Sequence, residues 1–172
     1  ATALNDFLKC PWRYFYKDLL QLPEEKVSNL LYGSAIHQAL NSFIQELKTS
    51  TPDENFLITT FNKSLARLMG ESEEKEKFQQ RGERALRIYH QQKASKWKNN
   101  LLGEMKINGV ELDKDITLNG RIDMIEGASN PKEVIVYDFK TGKHKSKEAI
   151  EDYRRQLTFY KLLLEKYHLG KY

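Results

Sequence analysis

Apolar residues recur at helical spacing from about residue 30 to residue 98, and beyond Leu102 that period gives way to alternation. A stripe at positions three and four apart suits one face of a helix, whereas strict alternation suits a strand with one buried face. The chain is therefore expected to be α/β, with residues 1–100 mainly helical and residues 101–172 supplying strands and a final helix. Thr2 is placed to cap a short helix through Phe7 and Leu8, and Pro11 to open the next one, carrying Trp12, Tyr14, Phe15, Tyr16 and Leu19. Residues 30–47 form a helical stripe, and Asp53 caps another with Phe56, Leu57, Phe61, Leu65 and Leu68 on one face. The charge-dense stretch 71–98 reads as one long half-exposed helix with a break near Gly82, its charges forming a solvated face.

In the second half, Asn108-Gly109 between two short apolar runs predicts a tight hairpin, because Asn-Gly suits the positive backbone angles of such a turn. Ile116-Thr117-Leu118 leads through Gly120 into a strand at Arg121–Glu126. Gly127–Lys132 reads as a turn, Glu133–Lys140 as a strand, Thr141–Lys147 as a polar loop and Glu148–His168 as the last long helix. With 172 residues and no internal repeat or low-complexity linker, one domain is the simplest organisation.

Composition excludes more than it selects. Hydrophobic residues at 40% and charged residues at 30% exclude wholesale disorder. No apolar run has the length of a membrane span, and no charged-then-apolar leader is present, so no membrane partner is expected. A net charge of +4 is compatible with a nucleic-acid partner but does not require one. The first residue is Ala1 and the helical pattern still runs near Tyr172, which reads as a domain cut from a longer protein. Cys10 is the only cysteine, so an internal disulfide, a four-thiolate zinc site and an iron–sulfur cluster are all excluded within the chain. A reducing, cytoplasmic setting follows as the expectation, with Cys10 read as a small buried hydrophobe.

The densest chemistry lies in Gly120-Arg121-Ile122-Asp123 and Val136-Tyr137-Asp138-Phe139-Lys140. On a strand, Asp138 and Lys140 share one face with Val134 and Val136, while Ile135, Tyr137 and Phe139 pack behind. A hairpin through Gly127–Lys132 would bring Asp123 and Asp138 together. Two crowded carboxylates repel, and a divalent cation between them removes that penalty. Hard oxygen ligands suit Mg2+ or Mn2+, and a neighbouring lysine then offsets charge building on a phosphate. As a bare Asp-x-Lys triplet, a surface ion pair with Asp123 capping a turn is the commoner explanation.

Four motifs in order add context. The chain reads Gly33-Ser34-Ala35-Ile36-His37, then Gly120-Arg121-Ile122-Asp123, then Asp138-Phe139-Lys140-Thr141-Gly142, then Gln156-Leu157-Thr158-Phe159-Tyr160. Together they resemble the PD-(D/E)XK nuclease superfamily, and within it the RecB-type exonuclease branch. The opening Phe7-Leu8-Lys9-Cys10-Pro11-Trp12-Arg13-Tyr14-Phe15-Tyr16 is similar to the usual start of such domains. The resemblance implies a restriction-endonuclease-like core: a short mixed central sheet flanked by helices, with a helical N-terminal half.

It further implies that Asp123 and Asp138 ligate Mg2+ or Mn2+, that the Phe139 carbonyl is a third ligand, and that His37 binds or adjoins the metal. Taken alone, His37 beside Ile36 and Leu40 would more often be a satisfied core residue. Lys140 becomes the catalytic lysine. Gln156 and Tyr160 share a helix face with Tyr153 and would orient Lys140, water or DNA; alone, they read as a polar edge and a core residue. Glu104 matches a glutamate that relatives carry on the preceding strand, and reads equally as a solvent-facing side chain. DNA contact by Lys143, His144, Lys145, Lys147, Arg154 and Arg155 stays open. AddB-like and CRISPR-associated relatives hold an iron–sulfur cluster on four cysteines, one near the position of Cys10; the other three are missing here, so no cluster is expected.

The function implied is metal-dependent hydrolysis of DNA phosphodiester bonds, leaving a 5′-phosphate. An exonuclease in recombination or repair, with a helicase domain or subunit as neighbour, fits that branch. The alternatives are a catalytically inactive DNA-binding or structural module of a helicase complex, and an RNA or nucleotide phosphohydrolase using the same acids.

Overall fold

The computed structural model describes residues 2–23, 27–127, 133–142 and 147–167. Its helices are α1 (Thr2–Lys9), α2 (Pro11–Tyr14), α3 (Ser28–Glu46), α4 (Glu54–Met69), α5 (Lys75–Gln92) and α6 (Lys147–Tyr167). A π-helical turn, Phe15–Leu19, follows α2, and a single 3-10 turn, Ala94–Lys96, follows α5. Strands β1 (Leu101–Asp113), β2 (Ile116–Gly127) and β3 (Val134–Tyr137) pair in that order. The expected α/β class is what is found. A two-residue turn joins β1 to β2, and β2 pairs antiparallel with β3, so the described strands are antiparallel throughout. No helix among the described residues is long and apolar enough to cross a membrane.

The chain forms two compact units. One comprises Lys26–Met105 and Ile122–Thr141. Its core is the packing of α3, α4 and α5, with Phe43, Leu57, Phe61 and Leu65 fully buried. Ile44, Leu101 and Met124 extend that core to the strands. Asp53 caps α4 as expected, its Oδ1 accepting from the Phe56 N–H at 2.9 Å. Helix α5 shows no break at Gly82. A Cβ there would lie 2.1 Å from Phe61 Cζ, so the glycine admits the Phe61 ring instead of ending the helix.

The other unit comprises Ala1–Glu25, Lys106–Arg121 and Gly142–Tyr172. Lys9 is ion-paired to Asp152, and Arg155 donates to Asn5 Oδ1 at 2.6 Å, so α1 is fastened to α6. Asp6 is buried against Arg13, 3.0 Å from its Nε. At Gly120 a Cβ would lie 2.5 Å from Leu163 Cδ2, so β2 and α6 approach closely there. Cys10, expected to be buried, is exposed: it stands in extended conformation between α1 and α2.

Three expectations for the strands need correction. Asn108-Gly109 is not a hairpin turn. Gly109 has φ +69° but lies inside the continuous strand β1, where its N–H donates to Asn119 Oδ1 at 2.8 Å. The left-handed glycine thus serves a local irregularity in the strand. The chain reverses at Lys114-Asp115, where Asp113 Oδ1 takes the Lys114 N–H at 2.7 Å. The last strand is also shorter than expected, ending at Tyr137 so that Asp138, Phe139 and Lys140 run beyond it. Ile135, expected to pack inward, is exposed. Most of the expected Gly127–Lys132 turn and of the Thr141–Lys147 loop, with Lys143, His144 and Lys145, lies outside the described residues.

Candidate active site

Strand register assembles the site. Met124 pairs with Tyr137, Ile125 with Val136, Glu126 with Ile135 and Gly127 with Val134. Continuing that register by one rung sets Asp123 opposite Asp138. Ile122 and Met124 are buried on either side of Asp123, so alternation turns the carboxylate to the other face of β2. One residue further, in place of a ladder bond, Asp123 Oδ2 accepts the Phe139 N–H at 2.8 Å. A side-chain acceptor has taken a strand donor, which is why β3 stops where it does.

Phe139 divides its roles between side chain and backbone. Its ring packs with Trp97, at 6.3 Å between centroids, and edge-on to Tyr89, at 6.2 Å. Its carbonyl oxygen lies 2.9 Å from His37 Nε2, while His37 Nδ1 lies 3.2 Å from Asp123 Oδ1. Both neighbours of the imidazole are oxygen acceptors, an arrangement that favours the protonated ring. The Asp123 hydrogen bond and charge, helped by the Phe139 carbonyl and the charge of Asp138, raise the His37 pKa above its usual 6.5 against the opposing effect of burial. Burial pushes the Asp123 carboxyl up, but His37, the Phe139 N–H and the Lys140 charge outweigh it and hold it below the usual range. Lys140 is ion-paired to Asp138. The helix places His37 one turn after Gly33, where a Cβ would lie 3.1 Å from Thr141 Oγ1. A threonine side chain makes the close approach.

His37, Asp123, Asp138, Phe139 and Lys140 are thus brought together within one unit. Glu104 is in the same unit, on β1, as a half-buried residue with φ +46°, a left-handed conformation unusual for a side-chain-bearing residue. Gln156, Tyr160 and Tyr153 are on α6 in the other unit. There Gln156 Nε2 donates to the Tyr160 hydroxyl at 2.6 Å, so the two share a helix face as their spacing predicts, and Tyr160 is buried. Arg154 pairs with Glu151, and Arg155 with Asp152.

Arg81 is a residue that the sequence reading passed over within a supposedly solvated face. Its guanidinium lies over the Tyr32 ring, 4.9 Å from the centroid, and Nη2 donates to the Thr141 carbonyl at 3.1 Å. It therefore braces the backbone immediately after Lys140. The neighbouring Gly82, a small residue in a charge-dense helix, was the available signal that this stretch of α5 packs closely.

The donor chemistry fits a hard divalent cation: two carboxylates at one rung and the Phe139 carbonyl beside them. The His37 ring stands between two of these oxygens, with both nitrogens engaged. Among the described residues no group of three His, Cys, Asp or Glu side chains is arranged to hold a metal ion. The pair Asp123 and Asp138, with the Phe139 carbonyl, is the set that would hold one.

Comparison with curated proteins and with solved structures gives no match. The family model described as the PD-(D/E)XK nuclease superfamily matches residues 1–171, nearly the whole chain. These nucleases are phosphodiester hydrolases that generally use divalent metal ions. The chain belongs to the PD-(D/E)XK nuclease superfamily.

Proposed function

We propose that this protein is a metal-dependent deoxyribonuclease of the RecB-type branch, an exonuclease in DNA recombination or repair. The observation that carries the reading is the register that sets Asp123 opposite Asp138, with Lys140 ion-paired to the second acid. Carboxylates so placed are costly without a cation, and an ammonium beside them suits an anionic substrate.

Asp123, Asp138 and the Phe139 carbonyl would hold Mg2+ or Mn2+. A cation there supplies positive charge for the scissile phosphate and lowers the pKa of water. Lys140 directs its ammonium at the phosphate, offsetting negative charge that accumulates as water adds in line with the leaving oxygen. His37 orients the Asp123 carboxylate and adjoins or joins the metal set. Gln156 and Tyr160, with Tyr153 on the same helix, orient the lysine, the water or the DNA backbone, and Glu104 is a further acidic contributor. The enzyme works in the reducing cytoplasm, with a helicase domain or subunit as its partner.

The test is digestion of end-labelled linear and circular DNA, single- and double-stranded, with magnesium, manganese or a chelator. Cleavage confined to linear molecules and abolished by the chelator is expected. Cutting of circles overturns the exonuclease reading. No cutting of any substrate overturns the enzyme and leaves the inactive-module alternative.

A further inference from the structure

Beside the segment Asp138–Thr141 lies an open cavity of about 410 Å³. That is within the size range of small-molecule sites. Tyr32, Tyr89, Tyr137 and Phe139 are among its lining residues, with the aliphatic Ile36 and Leu40. Its lining also includes Asp138, Lys140 and Arg81, so a mostly apolar hollow adjoins two cations and an acid. Tyr32 is almost wholly buried, and burial, followed by the charge of Tyr137, pushes the Tyr89 hydroxyl up to about 12, so both rings stay neutral.

We propose that this cavity is a nucleobase pocket, which takes one unpaired base of a single-stranded DNA segment next to the phosphate being cut. The proposal rests on the nuclease reading above. A nucleotide whose phosphate sits at Asp138 and Lys140 carries its base one sugar away, and those two residues are part of the hollow's lining. Flat, largely apolar surface is what a base offers, and every base offers it, so aromatic walls bind any of the four. Arg81, braced over Tyr32 and on the Thr141 carbonyl, places its cation where the flanking backbone phosphate passes. A base held in a duplex cannot enter such a hollow without leaving its stack. The pocket therefore makes single strands or frayed ends the substrate.

The test is manganese-dependent cleavage of a 5′-end-labelled single strand containing one tetrahydrofuran abasic residue. The linkage lacking its base is expected to be cut roughly tenfold more slowly than its neighbours, the order of one lost stacking contact. Ala85, which lines the cavity from the exposed side of α5, is the position to fill. Ala85→Trp is expected to slow cleavage of ordinary linkages by a similar factor and to erase the contrast. Equal cleavage at every linkage by the unaltered chain overturns the pocket, whether or not the variant folds. If no DNA is cut at all, the nuclease reading fails and the pocket is judged by binding alone. Saturable binding of deoxyadenosine 5′-monophosphate, with none of deoxyribose 5-phosphate, then sustains it; equal binding of both, or binding of neither, overturns it.

Discussion

His37 Nδ1 lies 3.2 Å from Asp123 Oδ1, and the same ring reaches the Phe139 carbonyl through Nε2, so one histidine ties α3 to β2 and to the segment after β3. In metal-free protein kept in chelator, His37 is expected to titrate above 6.5, as followed by NMR of its ring protons. Asp123→Asn is expected to bring it down, because the largest contribution is then lost. A titration at or below 6.5 in the unaltered chain refutes this contact.

The stability consequence has a definite sign. A histidine whose folded pKa is raised stabilises fully below about 6.5 and loses that contribution as pH rises through the folded value. Asp123, whose carboxyl is held low, stabilises above its usual 3.8 and loses that contribution as pH falls through its folded value. Urea unfolding in chelator is therefore expected to show stability declining on the alkaline side of 6.5. His37→Gln should flatten that decline. A slope that persists in the variant assigns it to other groups.

Asp138→Ala and Lys140→Ala are each expected to reduce cleavage by at least about 10²–10³-fold, the order of losing one electrostatic contact made in the transition state. Far-UV circular dichroism should stay unchanged, since both residues lie beyond β3 and Lys140 is exposed. Undiminished cleavage in either variant sinks the site assignment.

Metal binding by the proposed set can be tested apart from cleavage. Manganese at a hundredfold excess over its dissociation constant is expected to stabilise the folded chain by about 2.7 kcal/mol. The increment should vanish in Asp123→Ala and Asp138→Ala and persist in Lys140→Ala. An equal increment in all three variants places the ion elsewhere.

Gly82→Ala is expected to destabilise by about 1–3 kcal/mol, since its methyl group would overlap the Phe61 ring. The urea midpoint should fall without a change in slope. Phe61→Leu in the same chain should recover part of the loss, a coupling that independent sites do not show.

Much of the fold and of the candidate site was legible because each relied on local chemistry. Periodicity located α3, α4 and α6, Asp53 announced its cap, and the two acid-bearing segments read as neighbouring strands. What went unread depended on partners distant in sequence. Asn108-Gly109 offers a turn, but whether its left-handed glycine bends a strand or reverses it depends on Asn119 across the ladder. Gly82 looks like a helix breaker until Phe61 is set against it. Arg81 looks like one of many exposed charges until Thr141 and Tyr32 arrive beneath it. The end of β3 could not be foreseen either, because a carboxylate from β2 removes the donor on which pairing would continue.

Phe139 carries a consequence for how the triplet can vary. Its N–H serves Asp123 and its carbonyl serves His37, yet neither service depends on which side chain it bears. The middle letter of the triplet is therefore free in its functional groups and constrained in its bulk. A saturation library at this position should accept Leu, Met or Tyr and reject Gly, Asp and Lys, while the positions on either side tolerate almost nothing.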